Sequence, residues 1–331
     1  MTSEQRVTSF PWPVGSATGI GSMPGTDIAE AQRIVLGELP DLPHLPELPG
    51  RGPGADMIGR GGAFLVEVPI ELYAAQWRVA ARPGHDLRVT RDLLERDLDT
   101  MTEQAGEFAG VFKVQVPGPW TLAASLGLPI GGQVLRDPGA CRDLAASLAD
   151  GVGAHVAEVR ARLPHATVLL QVDEPSLPAV LAGRVPTESG FGTLRSVDPA
   201  VARTALSGLV AAAGVDVVVH CCASSVPLQL LREAGARAVA LDLSLVRDLD
   251  ALGEQLDAGL GLFAGVSVRA SADMAGQVRD LWRKLGFPLK SMAEQVVVTP
   301  PCGLPGEAAG GVRATLTALR EAGRRLTDDA E

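Results

Sequence analysis

A chain of 331 residues, 46% of them apolar, can bury a sizeable core and has room for one large α/β barrel or two smaller domains. Its formal net charge of -10 carries no basic block or stripe, which excludes nucleic acid and anionic membrane as natural partners. The longest apolar stretch, around Leu206 to His220, is broken by Gly214 and Asp216, and the N-terminus lacks the basic and apolar regions of a secretory signal, so a cytoplasmic protein is expected.

In chain order, the apolar runs predict eight strands: Ala17 to Ser22, Ala63 to Val68, Phe112 to Val116, Thr167 to Val172, Asp216 to Cys221, Ala238 to Leu243, Gly261 to Val268 and Val296 to Thr299. Several are continuous (VLLQV, VVVH, VVVT), the pattern of strands covered on both faces of a parallel sheet. Between them, Thr90 to Phe108, Pro138 to Leu163, Asp198 to Ala213 and Ala272 to Leu285 carry apolar residues at helical spacing. Asp198 before Pro199, and Asp248, supply the cap chemistry that opens a helix. Strands alternating with helices over this length predict an α/β fold, a (β/α)8 TIM barrel, with a doubly wound open sheet as the alternative. The whole chain, residues 1–331, is expected to form one barrel domain. Residues 37–62 are too rich in Pro and Gly for a regular helix and predict an ordered extension across one end of the barrel. The terminal RRLTDDAE is expected to fray.

The chemistry concentrates at predicted strand ends. VVVHCCAS places His220 and Cys222 two residues apart, so both project to one side while Cys221 points away. Cys302, in TPPCGLPG, ends the eighth run on the same rim, and Asp242, in VALDLS, ends the sixth. An imidazole, two thiolates and a carboxylate suit tetrahedral Zn2+, and soft sulfur disfavours magnesium or calcium. In QVDEPSL, neighbouring Asp173 and Glu174 point in opposite directions, so one faces the pocket, where a carboxylate can bind a substrate ammonium. TGIGSMPGTD, at the end of the first run, lets backbone approach a ligand closely and offers N–H groups to a carboxylate. His44, His85, His155 and His165 lack partners at ligand spacing and are expected at the surface or in caps, and Cys141 reads as a buried thiol. Arg51 and Arg60 are expected to meet an anionic substrate or solvent.

In this order, TGIGSMP, VPGPWTLA, QVDEPSL, VVHCCAS and PPCGL resemble the catalytic C-terminal barrel of cobalamin-independent methionine synthase, in the short, single-barrel form of that family. The resemblance spans residues 18 to 304 and implies a barrel shared with uroporphyrinogen-decarboxylase-like enzymes. It also implies zinc ligands at His220, Cys222 and Cys302, the amino-acid carboxylate held by the backbone around Ile20, Gly21 and Ser22, and the ammonium by Asp173. The implied reaction is methyl transfer to a small thiol, homocysteine to methionine, from methyltetrahydrofolate or a methylcorrinoid protein. The chain departs from the family at three positions. Asp242 stands where the family has a Glu ligand, Ser267 in GVSVRAS where it has a proton-donating His, and Ser125 where it has a folate-stacking Trp, with Trp120 earlier instead. The last two favour a methylcorrinoid donor. The rival readings are a metal-free decarboxylase of the same barrel superfamily and a non-catalytic zinc, thiol or corrinoid binder.

Overall fold

The computed structural model describes residues 10–269 and 273–328. Its centre is a curled, fully parallel sheet of six strands in sequence order: β3 (Val111–Pro117), β4 (Thr167–Asp173), β5 (Val217–Cys221), β6 (Ala238–Asp242), β7 (Gly261–Gly265) and β8 (Val296–Thr299). A separate antiparallel hairpin, β1 (Ile70–Tyr73) and β2 (Gln76–Val79), precedes it. Side-chain alternation along the strands builds two cores. Phe112, Val114, Val116, Leu170, Val172, Val219 and Leu241 face outward into a layer shared with the helices. Leu169, Val218, Ala238, Ala240, Phe263 and Val297 face the concave side, where Trp12, Ile20 and Leu42 join them.

The helices are α1 (Ile28–Glu38), α2 (Met57–Ala63), α3 (His85–Ala105), α4 (Pro119–Ser125), α5 (Pro138–Arg162), α6 (Leu177–Leu181), α7 (Pro199–Ala213), α8 (Leu228–Glu233), α9 (Leu249–Asp257), α10 (Met274–Lys284), α11 (Leu289–Gln295) and α12 (Ala309–Asp328). The Asp198 and Asp248 side chains cap α7 and α9 as expected, accepting from Ala200 N and Ala251 N. The predicted helix start at Ala272 lies outside the described residues, and α10 begins after the Asp273 cap. The terminal segment is helical as far as Asp328; residues 329–331 lie outside the described residues. Among the described residues, no helix is long and apolar enough to cross a membrane.

The first two predicted strands need correction. Ala17 to Ser22 forms no regular strand, but it runs extended beside β8: Thr18 N donates to Val298 O at 3.0 Å and Val298 N to Ser16 O at 3.1 Å. Ala63 to Val68 is the last residue of α2 followed by a turn, with Glu67 at a positive φ of 59° that ends any extended run. Its predicted place beside β3 is taken by Pro43–Glu47, from the Pro-rich stretch. Lys113 N donates to Pro43 O and Leu45 N to Lys113 O, both at 2.9 Å. Pro43 and Pro46 are tolerated there because the bonds use the N–H groups of Leu45 and Glu47. These two extended segments also bond to each other, Met23 N to Glu47 O at 2.8 Å and Glu47 N to Gly21 O at 3.1 Å.

Candidate active site

At the carboxyl ends of the strands, His220, Cys222 and Cys302 come together, with ligand atoms all within 4.8 Å of one another. His220 is the inward residue near the end of β5 and is buried, Cys222 follows the strand half-buried, and Cys221 between them is fully buried, in alternation with outward-facing Val217 and Val219. Cys302 comes from the turn after β8, and the two sulfurs lie 3.3 Å apart. That turn is fixed by Leu304 N, which donates to Ser22 O at 2.8 Å, and a Cβ at Gly303 would fall 2.0 Å from Ser22 Oγ. The two thiols are hydrogen-bonded to each other: that contact, then His220, holds Cys302 below the ordinary thiol range, and the same contact pushes Cys222 up. His220 Nδ1 is buried with no hydrogen-bond partner. An orphaned imidazole nitrogen in a cluster with two touching thiols fits a thiophilic metal ion.

Asp242 stands outside this group. Half-buried at the end of β6, its Oδ1 accepts from Ser244 N at 2.8 Å and caps the short turn Leu243–Leu245. An aspartate at a turn start captures its own backbone locally, which the pattern of strand ends does not reveal. The DEP carboxylates divide as expected. Asp173, register partner of His220, is buried on the concave side of β4, and its Oδ1 accepts from Gln171 Nε2 at 2.7 Å. Burial raises its pKa, against the opposing pull of His220. Glu174 is fully buried and accepts from Trp120 N, Thr121 N and Thr121 Oγ1 at 2.8–2.9 Å, anchoring the first turn of α4. Burial pushes its pKa to about 7 despite these three bonds.

Ile20, Gly21 and Ser22 lie beside the Cys302 turn. The N–H groups of Gly21 and Ser22 donate no hydrogen bond among the described residues, and Gly21 has φ 151°. A Cβ there would meet Gln115 Nε2 at 2.9 Å, so the position requires glycine. Sequence reasoning missed four polar residues behind this turn. Lys113, Gln115 and Gln171 are buried on the concave side of β3 and β4, and Glu47, from the Pro-rich segment, comes within 3.5 Å of Gln115 Nε2. The sequence trace of the first three is the pair of polar residues two apart in VFKVQVP and in VLLQVD.

Several expectations fail for physical reasons. His44 and His155 are buried, not surface residues, and desolvation lowers the pKa of both. Arg51 and Arg60 are drawn inward from open solvent: both bind buried Asp97, at 2.7 Å each, and Arg60 Nε approaches Glu47 at 3.3 Å. Cys141 is a buried thiol as expected, donating to Val134 O at 3.4 Å. Trp120 turns away from the rim, its indole N–H on Ala202 O at 3.1 Å, and Ser267 N donates to Gln277 Oε1 at 2.9 Å.

A curled parallel α/β sheet with an imidazole, two thiols and a buried carboxylate gathered at one rim defines a class of α/β protein able to hold a metal beside a small ligand. The chain belongs to the family described as cobalamin-independent synthase, catalytic domain, whose sequence model matches residues 15–325. It is thus a member of a methyltransferase family. A solved B12-independent methionine synthase from Shewanella sp. W3-18-1, in complex with selenomethionine, is similar in fold at TM-score 0.62 and 14% identity, over 96% of this chain and 98% of that one. A methyltransferase from Methanosarcina mazei aligns at TM-score 0.61 and 12% identity, over 97% and 95%. No curated protein sequence matches the chain significantly.

Proposed function

We propose that this chain is a zinc-dependent S-methyltransferase that methylates a small amino-acid thiol, homocysteine, to give methionine. The observation that carries the reading is the convergence of His220, Cys222 and Cys302 within 4.8 Å. Zinc held by these residues would keep the substrate sulfur as a thiolate at neutral pH. Around that point the chain's own groups fit the rest of an amino acid. The N–H groups of Gly21 and Ser22 face the carboxylate, and Asp173, with Glu47 nearby, takes the ammonium. Binding both ends turns the sulfur toward the methyl donor. Transfer forms the C–S bond as the bond from methyl to donor breaks, and the electron pair leaves with the donor. Ser267 offers no imidazolium to protonate a folate nitrogen, which favours a methylcorrinoid protein over methyltetrahydrofolate as donor. The selenomethionine in the Shewanella protein has the shape of the proposed product and supports an amino-acid thioether in this pocket.

We propose further that the fold is a single (β/α)8 barrel whose first two staves are the segments 16–23 and 43–47, since these join each other and bond to β8 and β3. The free thiols of all four cysteines accord with the cytoplasm. The test is zinc content with X-ray absorption at the zinc edge, with and without homocysteine. About one zinc per chain that gains a sulfur neighbour on adding the thiol is expected. A metal-free protein, or a shell unchanged by the thiol, overturns the proposal.

A further inference from the structure

Directly beneath the rim, Lys113 is wholly buried, and its Nζ donates to Gln171 Oε1 at 2.7 Å and to Ile20 O and Gln115 Oε1 at 3.0 Å. Gln171 Nε2 passes the connection on, to Ile20 O at 2.8 Å and Asp173 Oδ1 at 2.7 Å. Gln115 Nε2 donates to Leu45 O at 2.7 Å. One lysine and two amides therefore tie β3, β4 and both extended segments together. A buried ammonium is among the most costly groups to keep inside a fold. The neighbouring concave-side positions do without one: Leu169, register partner of Lys113, and Val218, register partner of Gln171, are apolar. Burial drives the Lys113 pKa down to about 7, and the nearby charges of Asp173 and then Glu47 oppose that pull.

We infer that Lys113 is a positioning residue for the amino-acid end of the substrate. Through the Ile20 carbonyl and Gln171 it sets the distance between the carboxylate-binding turn and Asp173, and its charge lets Asp173 and Glu47 face the same space before an ammonium arrives. The inference rests on the proposed reading of this rim as an amino-acid thiol site. A strut with no further role would affect stability alone, whereas a positioning residue governs how strongly the substrate's amino group is felt.

The test compares homocysteine with 4-mercaptobutanoate, which keeps thiol and carboxylate but lacks the amino group, by calorimetric titration of zinc-loaded protein. Wild-type protein should prefer homocysteine by at least about tenfold. Lys113→Met should erase most of that preference, weakening homocysteine on the order of 10- to 100-fold while the des-amino thiol shifts by less than about threefold and zinc content holds. Lys113→Arg, which keeps charge and donors, should recover part of it. Should Lys113→Met not fold, Gln171→Leu cuts the link to Ile20 and Asp173 and should produce the same loss. A folded, zinc-loaded variant of either kind with the wild-type preference overturns the role of Lys113. A wild-type protein indifferent to the amino group overturns the reading of the rim itself.

Discussion

Cys222 and Cys302 come from turns 80 residues apart and end with their sulfurs in contact. Two thiols in contact cannot both ionise without a cation to balance them, and a zinc ion held there would supply that charge. Alanine at Cys222 or at Cys302 should therefore reduce zinc to less than about a tenth of a mole per chain. Asp242→Ala should leave it at the wild-type level, because that carboxylate is engaged by Ser244 N. Elemental analysis of the three purified variants decides the matter. Full zinc in either cysteine variant removes the proposed centre, and zinc loss in Asp242→Ala would make that carboxylate a ligand. The His-x-Cys pair and Cys302 were legible because ligand spacing at a strand end is a local pattern. Lys113 and Glu47 were not, because a single polar residue in an apolar strand shows its worth only when neighbouring strands supply its partners.

At the scale of elements, Glu174 shows how a strand end sets the helix after another strand. Its carboxylate, emerging from β4, accepts both free N–H groups at the start of α4, which follows β3. A Cβ at Gly118 would lie 2.3 Å from its Oε1, so the closeness of the two elements depends on that glycine. Glu174→Ala leaves Trp120 N, Thr121 N and the Thr121 hydroxyl buried without an acceptor and should cost about 3 kcal/mol in urea unfolding. A loss under about 0.5 kcal/mol would show that water replaces the carboxylate. The six strands of the parallel sheet were readable as short β-rich runs, several of them continuously apolar because burial on both faces demands it. The segments beside β8 and β3 were harder to read. AFLVEV has strand-like composition but is held in a helix end and turn by the Asp56 cap of α2. LPHLPELP looks irregular yet pairs well, because its prolines fall where no donor is needed.

Over the whole molecule, buried titratable groups pull stability in opposite directions as pH changes. His155, on α5, packs its ring 4.7 Å from Phe64 with Nε2 unpartnered, and burial, then the charge of Arg60, drops its pKa from 6.5 to about 3. A folded pKa below the unfolded one means the unfolded chain binds the proton more readily. The stability contributed by neutral His155 is therefore complete above pH 6.5 and is lost as pH falls toward 3, at about 1.4 kcal/mol per unit. Glu174 works the other way: raised from 4.5 to about 7, its native form takes up a proton more readily, so acidification across that window stabilises the fold. The two contributions oppose each other between pH 6.5 and 4.5, and a single variant should expose one side. His155→Leu keeps the apolar packing against Phe64 and removes the titration. It should unfold in urea with stability close to wild type at pH 7.5, and gain about 2 kcal/mol on wild type by pH 5.0. Curves that stay parallel between those pH values would mean that His155 is hydrated or already paired in the native protein, and that acid sensitivity originates elsewhere.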